Sequence, residues 1–371
     1  MNKAKNFISK AIRSQPVLII AALAAFVTMF IIPPDREYIG YINAKVLIQL
    51  FSLMTAVAGL RSIGIFDRVT KFLLGRAGSI RSLGRVLVLL CFFVSMFVTN
   101  DVALILFVPL TLPFFEKSEK GCILTVVLET AAANLGSMMT PVGNPQNLFL
   151  YDRYGFTVSD FILLTLPVGL VSLVSLMLLC LLLPKEKCSP GVTGNEKISS
   201  FSFAVYMILF LICLLTVLRL LPVSVCLAAA VLAALICDLS LLKKVDYALL
   251  ATFVCFFIFV GNIARIEAVR EFFRDFLSGR EVLVSLGLSQ LISNVPATVM
   301  LAEFTENGKG LLLGVNAGGL GTIIASLASL ISFQFYRKSE NARPGRYLAV
   351  FTGVSAALLA VILPTVFLLC L

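Results

Sequence analysis

The sequence has no histidine, and none of its nine cysteines forms a Cys-x-x-Cys pair. The usual ligand sets of zinc and haem centres are therefore missing. Charge is scarce as well. Asp, Glu, Lys and Arg make up 13% of the chain, against roughly 25% in soluble domains. No nucleophile motif, P-loop or metal motif is present. The glycine-rich basic stretch "GRAGSIRSLG" (75–84) follows no strand and reads as an interfacial linker rather than a phosphate cradle. These absences argue against an enzyme and against a resident metal or cofactor.

What remains is apolar. The 371 residues are 59% hydrophobic, with a mean hydropathy of +1.01. Apolar runs of about 17–25 residues recur along the chain, each long enough to span ~30 Å of hydrocarbon. A transmembrane barrel would instead alternate over ~10-residue segments. The fold class is an all-α polytopic membrane protein, and the lipid bilayer is its first partner. The net charge of +10 sits in loops between apolar runs, which is an orientation signal and not a nucleic-acid surface. Cys91, Cys180, Cys213, Cys226 and Cys255 lie inside apolar runs and read as small packing residues. The first 32 residues resemble a secretory signal, but the apolar run passes "ALA" without a polar cleavage region, which favours a retained first helix.

Nine crossings are expected, at about 16–32, 44–60, 121–150, 160–183, 201–219, 222–240, 246–263, 310–336 and 346–370. Two more apolar stretches, 86–115 and 282–306, are interrupted at their centres by polar residues and read as re-entrant hairpins. Broken backbone at that depth survives only inside protein or against a watery cavity. With the N-terminus cytoplasmic, inside segments carry 21 of the 30 Lys and Arg, as the positive-inside rule requires. Plasma or inner membrane is the expected location.

The two halves resemble each other. "FVSMFVTNDVALILFVPL" (93–110) matches "GLSQLISNVPATVMLAEF" (287–304) in pattern. "NLGSMMT" (134–140) aligns without gaps to "NAGGLGT" (316–322), and "AGLRSIGIFDRV" (58–69) echoes "VGNIARIEAVRE" (260–271) as an amphipathic interfacial stretch. The expected organisation is a cytoplasmic basic tail (1–15), a first repeat (16–183), a linker with a connecting helix (184–221) and a second repeat (222–371). The connecting helix inverts the second repeat, an architecture of secondary transporters.

Four polar clusters fall at membrane depth. The hairpin tips carry Thr99-Asn100-Asp101 and Ser293-Asn294-Val295-Pro296. The broken spans carry Thr140, Pro141, Gly143, Asn144, Pro145, Gln146 and Asn147, and Asn316 to Thr322 with Gly318, Gly319 and Gly321. Proline removes backbone donors and glycine frees φ, so each span is expected to part into two half-helices. Freed carbonyls attract a cation, and helix N-termini attract an anion. Thr99, Asn100, Ser293 and Asn294 are also good helix caps, a role compatible with substrate contact. Asp101 is costly at this depth and points to proton or ion handling, with a helix-dipole role as the bland alternative. Glu129 is the second coupling candidate, with a buried hydrogen bond as its alternative. Glu303, Glu306 and Asp238 (close to Lys243) read as solvated or interfacial charges, and Arg61 and Arg265 as interfacial anchors. No lysine or arginine falls at the expected midplane.

"TNDVALILFVPL", "TPVGNPQNLFLY", "LISNVPATVML" and "VNAGGLGTIIASLASLI" resemble the ion transporter superfamily, which includes arsenite permeases, sodium/proton antiporters, citrate-metal carriers and divalent anion/sodium symporters. The resemblance covers about 45–335. It implies a homodimer in which a transport domain moves against a scaffold, elevator fashion. It also implies substrate and cation sites at Thr99, Asn100, Asp101, Thr140, Pro141, Gly143, Asn144, Asn147, Ser293, Asn294, Pro296, Asn316, Gly319 and Thr322. Dicarboxylate symporters read Ser-Asn-Thr at both tips, whereas Asp101 and Val295 stand third here. The Asn-Asp tip is closer to the arsenite and sodium/proton branches. The expected function is a secondary permease for a small anion, coupled to H⁺ or Na⁺; no cofactor is expected beyond Na⁺ should it be the coupling ion. The alternatives are a cation/proton antiporter using Asp101 and a membrane subunit of a pump.

Overall fold

A computed structural model describes residues 16–66, 68, 78–115, 119–186 and 199–371. The basic tail 1–15 and most of the linker ahead of the connecting helix lie outside the described residues. All regular elements among the described residues are helical. In the first half they are α1 (Pro16–Ile31), α2 (Glu37–Tyr41), α3 (Ala44–Ser62), α4 (Ile80–Val98), α5 (Asn100–Phe114), α6 (Glu119–Ser137), α7 (Pro145–Arg153) and α8 (Val158–Leu179). α9 (Ser200–Val217) connects the halves. The second half holds α10 (Val223–Cys237), α11 (Tyr247–Ala264), α12 (Glu267–Leu277), α13 (Glu281–Ile292), α14 (Asn294–Leu301), α15 (Gly308–Ala317), α16 (Leu327–Arg337) and α17 (Pro344–Cys370).

Helix starts follow local chemistry. Asn43 accepts from the Val46 amide at 3.1 Å, Asp246 from Leu249 at 3.0 Å and Asn307 from Gly310 at 2.9 Å, each satisfying an orphan donor of a first turn. Among the described residues, six helices are long and apolar enough to cross a membrane: α3, α4, α8 with its terminal 3-10 turn, α9, α11 and α17. Of the nine expected crossings, 121–150 and 310–336 resolve into the half-helix pairs α6/α7 and α15/α16. α1 and α10 have 16 and 15 residues, about 22–24 Å at 1.5 Å per residue. α4 could cross by length alone, but its neighbours show otherwise. Thr125, early in α6, lies against Gly84, early in α4; Gly136, late in α6, lies against Phe92 and Ser95, late in α4. α4 and α6 therefore run side by side in the same direction, and α5 doubles back between them. The second half repeats this. Val282 and Ser285 of α13 meet Gly314 of α15, and Ser289 meets Gly318 just beyond it. Both polar-tipped stretches are hairpins.

The helices gather into two groups. The hairpins and broken helices pack together, flanked by α8 and α17. α1 packs on α11, while α10 and α9 pack on α3, so each half lends its first helix to the second helix of the other. Between the two groups contacts are thin. Nearly every residue of 121–150 is buried, which puts the first broken span at the centre. α8, by contrast, turns Leu163, Leu170, Val174 and Leu178 outward, as a lipid-facing helix does.

Three local expectations change. Residues 80–84 of the expected linker are helical, the first turn of α4, because Ser79 accepts from the Ser82 amide at 3.2 Å and starts the helix early. Thr99 and Ser293 stand at cap positions, yet neither side chain caps its helix. Asp238 reaches Lys244, at 4.0 Å, rather than Lys243. It also accepts from Ser240, whose bonds hold its carboxyl below the ordinary range.

Candidate substrate-binding site

The tips owe their shape to the backbone. Thr99 has φ 82° and ψ 151°, and Ser293 has φ 76° and ψ 153°. Side-chain-bearing residues avoid this region, at a cost of about 1–3 kcal/mol. The same conformation at both tips turns the next amide toward the other broken segment of its own half. Asn100 N–H donates to Gly143 O at 3.2 Å, and Asn294 N–H to Ala325 O at 2.9 Å. Each hairpin tip is thereby pinned to the unwound segment beside it.

The unwound segments, 138–144 and 318–326, are joined by a reciprocal exchange. Asn316 donates to Asn147 Oδ1 at 2.7 Å and accepts from Asn144 Nδ2 at 3.2 Å. Asn134, aligned to Asn316 in the first half, accepts from Ser326 Oγ at 2.9 Å and donates to Ser329 Oγ at 3.3 Å. Ser326 and Ser329 follow Asn316 at the spacing by which Asn144 and Asn147 follow Asn134. Each half thus closes the other's gap with matching residues. Asn134 also accepts from Asn100 Nδ2 at 2.9 Å and reaches Gly319 O at 3.4 Å. A Cβ on Gly319 would stand 3.1 Å from Asn294 Nδ2, so both tips converge on the space around Asn134 and Gly319. Asn100, Asn134, Asn144, Asn147, Asn294 and Asn316 are all buried.

Other expected residues are placed as follows. Thr140 Oγ1 donates to Met96 O, and Thr140 O accepts from Asn147 Nδ2 at 3.0 Å. Pro141 lies in the unwound turn, and Gly143 fits because a Cβ there would collide with the Ser137 backbone. Pro296 is buried in the first turn of α14. Thr322 lies at the edge, held by Gln290 at 2.7 Å through its amide. Asp101 is not part of the amide cluster. It lines a cavity of about 400 Å³ between the two helix groups, shared with Arg61, Lys244, Asp246 and Pro145. Glu129 is fully buried against the hairpin: Oε1 lies 2.5 Å from Thr111 Oγ1, and Oε2 has no partner among the described residues. Glu303 pairs with Arg153 at 3.1 Å at the surface. Arg265 holds Asp35 at 2.7 Å and Glu37 at 3.4 Å.

The list drawn from sequence omits Asn134, Ser326, Ser329 and Gln290. Asn134 carried a signal, since it aligns to the chosen Asn316. Extending that alignment would have reached both serines. Gln290 Nε2 donates to Gly318 O and Leu320 O at 2.9 and 3.0 Å, a role with no local sequence mark.

The profile of the citrate transporter family ("Citrate transporter") matches residues 7–307. The chain belongs to the citrate transporter family. This citrate transporter family member is 31% identical over 325 residues to the uncharacterized transporter MJ0456 of Methanocaldococcus jannaschii, covering 85% of this chain and 86% of that one. It is 31% identical over 315 residues to the inner membrane protein YbiR of Escherichia coli, covering 82% and 83%. The crystal structure of the YdaH transporter of Alcanivorax borkumensis superposes with a TM-score of 0.59 at 12% identity, over 95% of this chain and 96% of that one, a likeness of fold. The family member is a membrane transporter and not an enzyme.

Proposed function

We propose that this transporter is a secondary active permease for a small anion, coupled to H⁺ or Na⁺. One observation carries the reading. The half-helices α5, α7, α14 and α16 all begin at the amide cluster, at Asn100, Pro145, Asn294 and Leu327, and the cluster contains no lysine or arginine. Four helix N-termini and six buried amides suit an anion whose charge is offset by dipoles and a co-transported cation. Citrate, the anion the family is described by, is the first candidate. The thin contact between the helix groups supports an elevator-type movement of the hairpins and broken helices, which carry the cluster, against α1, α3, α9, α10 and α11. The inverted arrangement of the halves and a homodimer are part of the same reading.

A second reading is a cation/proton antiporter, favoured by Asp101 and Asp246 facing one cavity. A thermal-shift screen of the purified protein separates the two. Citrate, other carboxylates, oxyanions, arsenite and metal ions are compared with and without Na⁺ and across pH. An anion that raises the unfolding temperature of the wild type and not of Asn316→Ala supports the permease, since a ligand stabilises the state it binds. Stabilisation by cations alone, lost in Asp101→Asn, supports the antiporter.

A further inference from the structure

Glu129 lies outside the amide cluster, and neither that site nor the Asp101 cavity uses it. It is fully buried on α6 with Oε2 unpartnered among the described residues. The titratable groups facing it are Cys91 from α4, Tyr347 from α17 and Cys122 from its own helix. None of these groups is a cation. An ionised carboxylate there would be a charge without counter-charge in hydrocarbon.

The hydrogen bonds point the same way. Thr111 Oγ1 lies 3.1 Å from Phe107 O, the usual back-bond of a helical threonine, and 2.5 Å from Glu129 Oε1. A hydroxyl has one proton. If Thr111 donates to Phe107 O, the proton in the short contact belongs to Glu129.

Two features lie near Glu129, although among the described residues its own side chain lines no cavity. A cavity of about 410 Å³, lined by Pro113, Phe115, Cys122, Tyr336 and Lys338 among others, ends against Leu112 and Pro109, which flank Thr111 on α5. On the other side, Thr130 donates to Ser332 at 2.7 Å, Ser332 meets Tyr347 at 3.1 Å, and Ser329, one turn before, meets Asn134. Cys122, two helical turns before Glu129, lines that cavity, and Thr130, the residue after Glu129, begins the bonded chain toward Asn134.

Resting on the permease reading above, we infer that Glu129 is the binding site of the co-transported proton. When protonated, the acid can donate to Thr111 while Thr111 donates to Phe107 O. When a water that reaches Glu129 takes the proton, Glu129 becomes a carboxylate and the water a hydronium ion. Thr111 then turns its hydroxyl from Phe107 O to Oε1, so the departing charge leaves one hydrogen bond behind.

Purified full-length protein tests this by infrared difference spectroscopy across a pH titration. The wild type is expected to show the carbonyl stretch of a protonated carboxyl at neutral pH. Asp101→Asn keeps it, and the Asp101→Asn/Glu129→Gln double variant loses it. Absence of the band in Asp101→Asn, or its survival in the Asp101→Asn/Glu129→Gln double variant, overturns the inference. In proteoliposomes with citrate as probe, Glu129→Gln is expected to lose citrate accumulation driven by a pH gradient while keeping citrate–citrate exchange and thermal stabilisation by citrate. Glu129→Asp, which can still carry a proton, keeps part of the gradient-driven uptake. Full gradient-driven uptake by Glu129→Gln overturns the inference. If wild-type vesicles move no citrate at all, the citrate reading fails on its own, and the infrared band still decides Glu129.

Discussion

At the scale of single residues, Asn134 holds the most partners in the cluster. Its amide serves a hairpin tip and both sides of the second break, through Asn100, Gly319, Ser326 and Ser329. Asn134→Ala strands the Asn100 and Ser326 donors in a buried space. Each stranded group costs about 1–3 kcal/mol, so the unfolding temperature in detergent should fall and ligand stabilisation should vanish. Asn147→Ser should be milder, because serine already stands at the matching place in the second half. The residue types of the site were legible, since polar residues inside apolar runs announce themselves. Their directions were not. Asp101 follows Asn100 in sequence, yet it faces a different cavity because successive helical residues point about 100° apart. The Thr111–Glu129 contact joins a hairpin limb to a broken helix, and no local pattern encodes it.

At the scale of elements, the hairpin tips store strain. Thr99 and Ser293 occupy conformations that glycine adopts freely. Thr99 makes no capping bond, so Thr99→Gly should relieve about 1–3 kcal/mol, less the ~0.5–1 kcal/mol of added chain freedom. Equilibrium unfolding should show a modest gain, and transport rates should change if the fixed tip angle positions Asn100. The latch between α2 and α11 is a second element-scale feature. Arg265 beside Asp35 holds that carboxyl below its ordinary value. The lowered value means that the latch is fully present above the ordinary carboxylate range and is lost as pH falls through the lowered one. Protection of the 33–41 amides, taken relative to the intrinsic exchange rate at each pH, should therefore fall on acidification in the wild type. In Arg265→Gln it should be low already at neutral pH and nearly flat. Span positions and both breaks were legible from hydropathy, proline and glycine. The early start of α4 was not, because glycine and arginine in 75–84 masked a helix fixed by Ser79 and by packing of Gly84 against Thr125 and Leu183.

At the scale of the whole molecule, the charge count and the reversal of both hairpins make one joint prediction. Cysteines placed at Glu37 and Glu306 should react with an impermeant maleimide from one side of the membrane, and cysteines at Lys185 and Ser339 from the other, in a background freed of native thiols. Glu306 reacting from the Ser339 side would break the inverted arrangement. The matching places of Asn134 and Asn316 were legible in sequence because the asparagine-glycine signatures align. The exchange of first helices between halves was not: Asn262 of α11 donates to Thr28 of α1 at 3.1 Å, and nothing in either sequence neighbourhood marks that pairing.

That exchange sets the order of events at the ribosome. Asn134 leaves the exit tunnel long before Ser326 and Ser329 exist, and α1 waits for α11 before it has its main neighbour. The first half must therefore be inserted with its amide side chains still seeking company, sheltered by the translocon or an insertase. A chain truncated before residue 329 should be degraded as an orphan rather than persist as a working half.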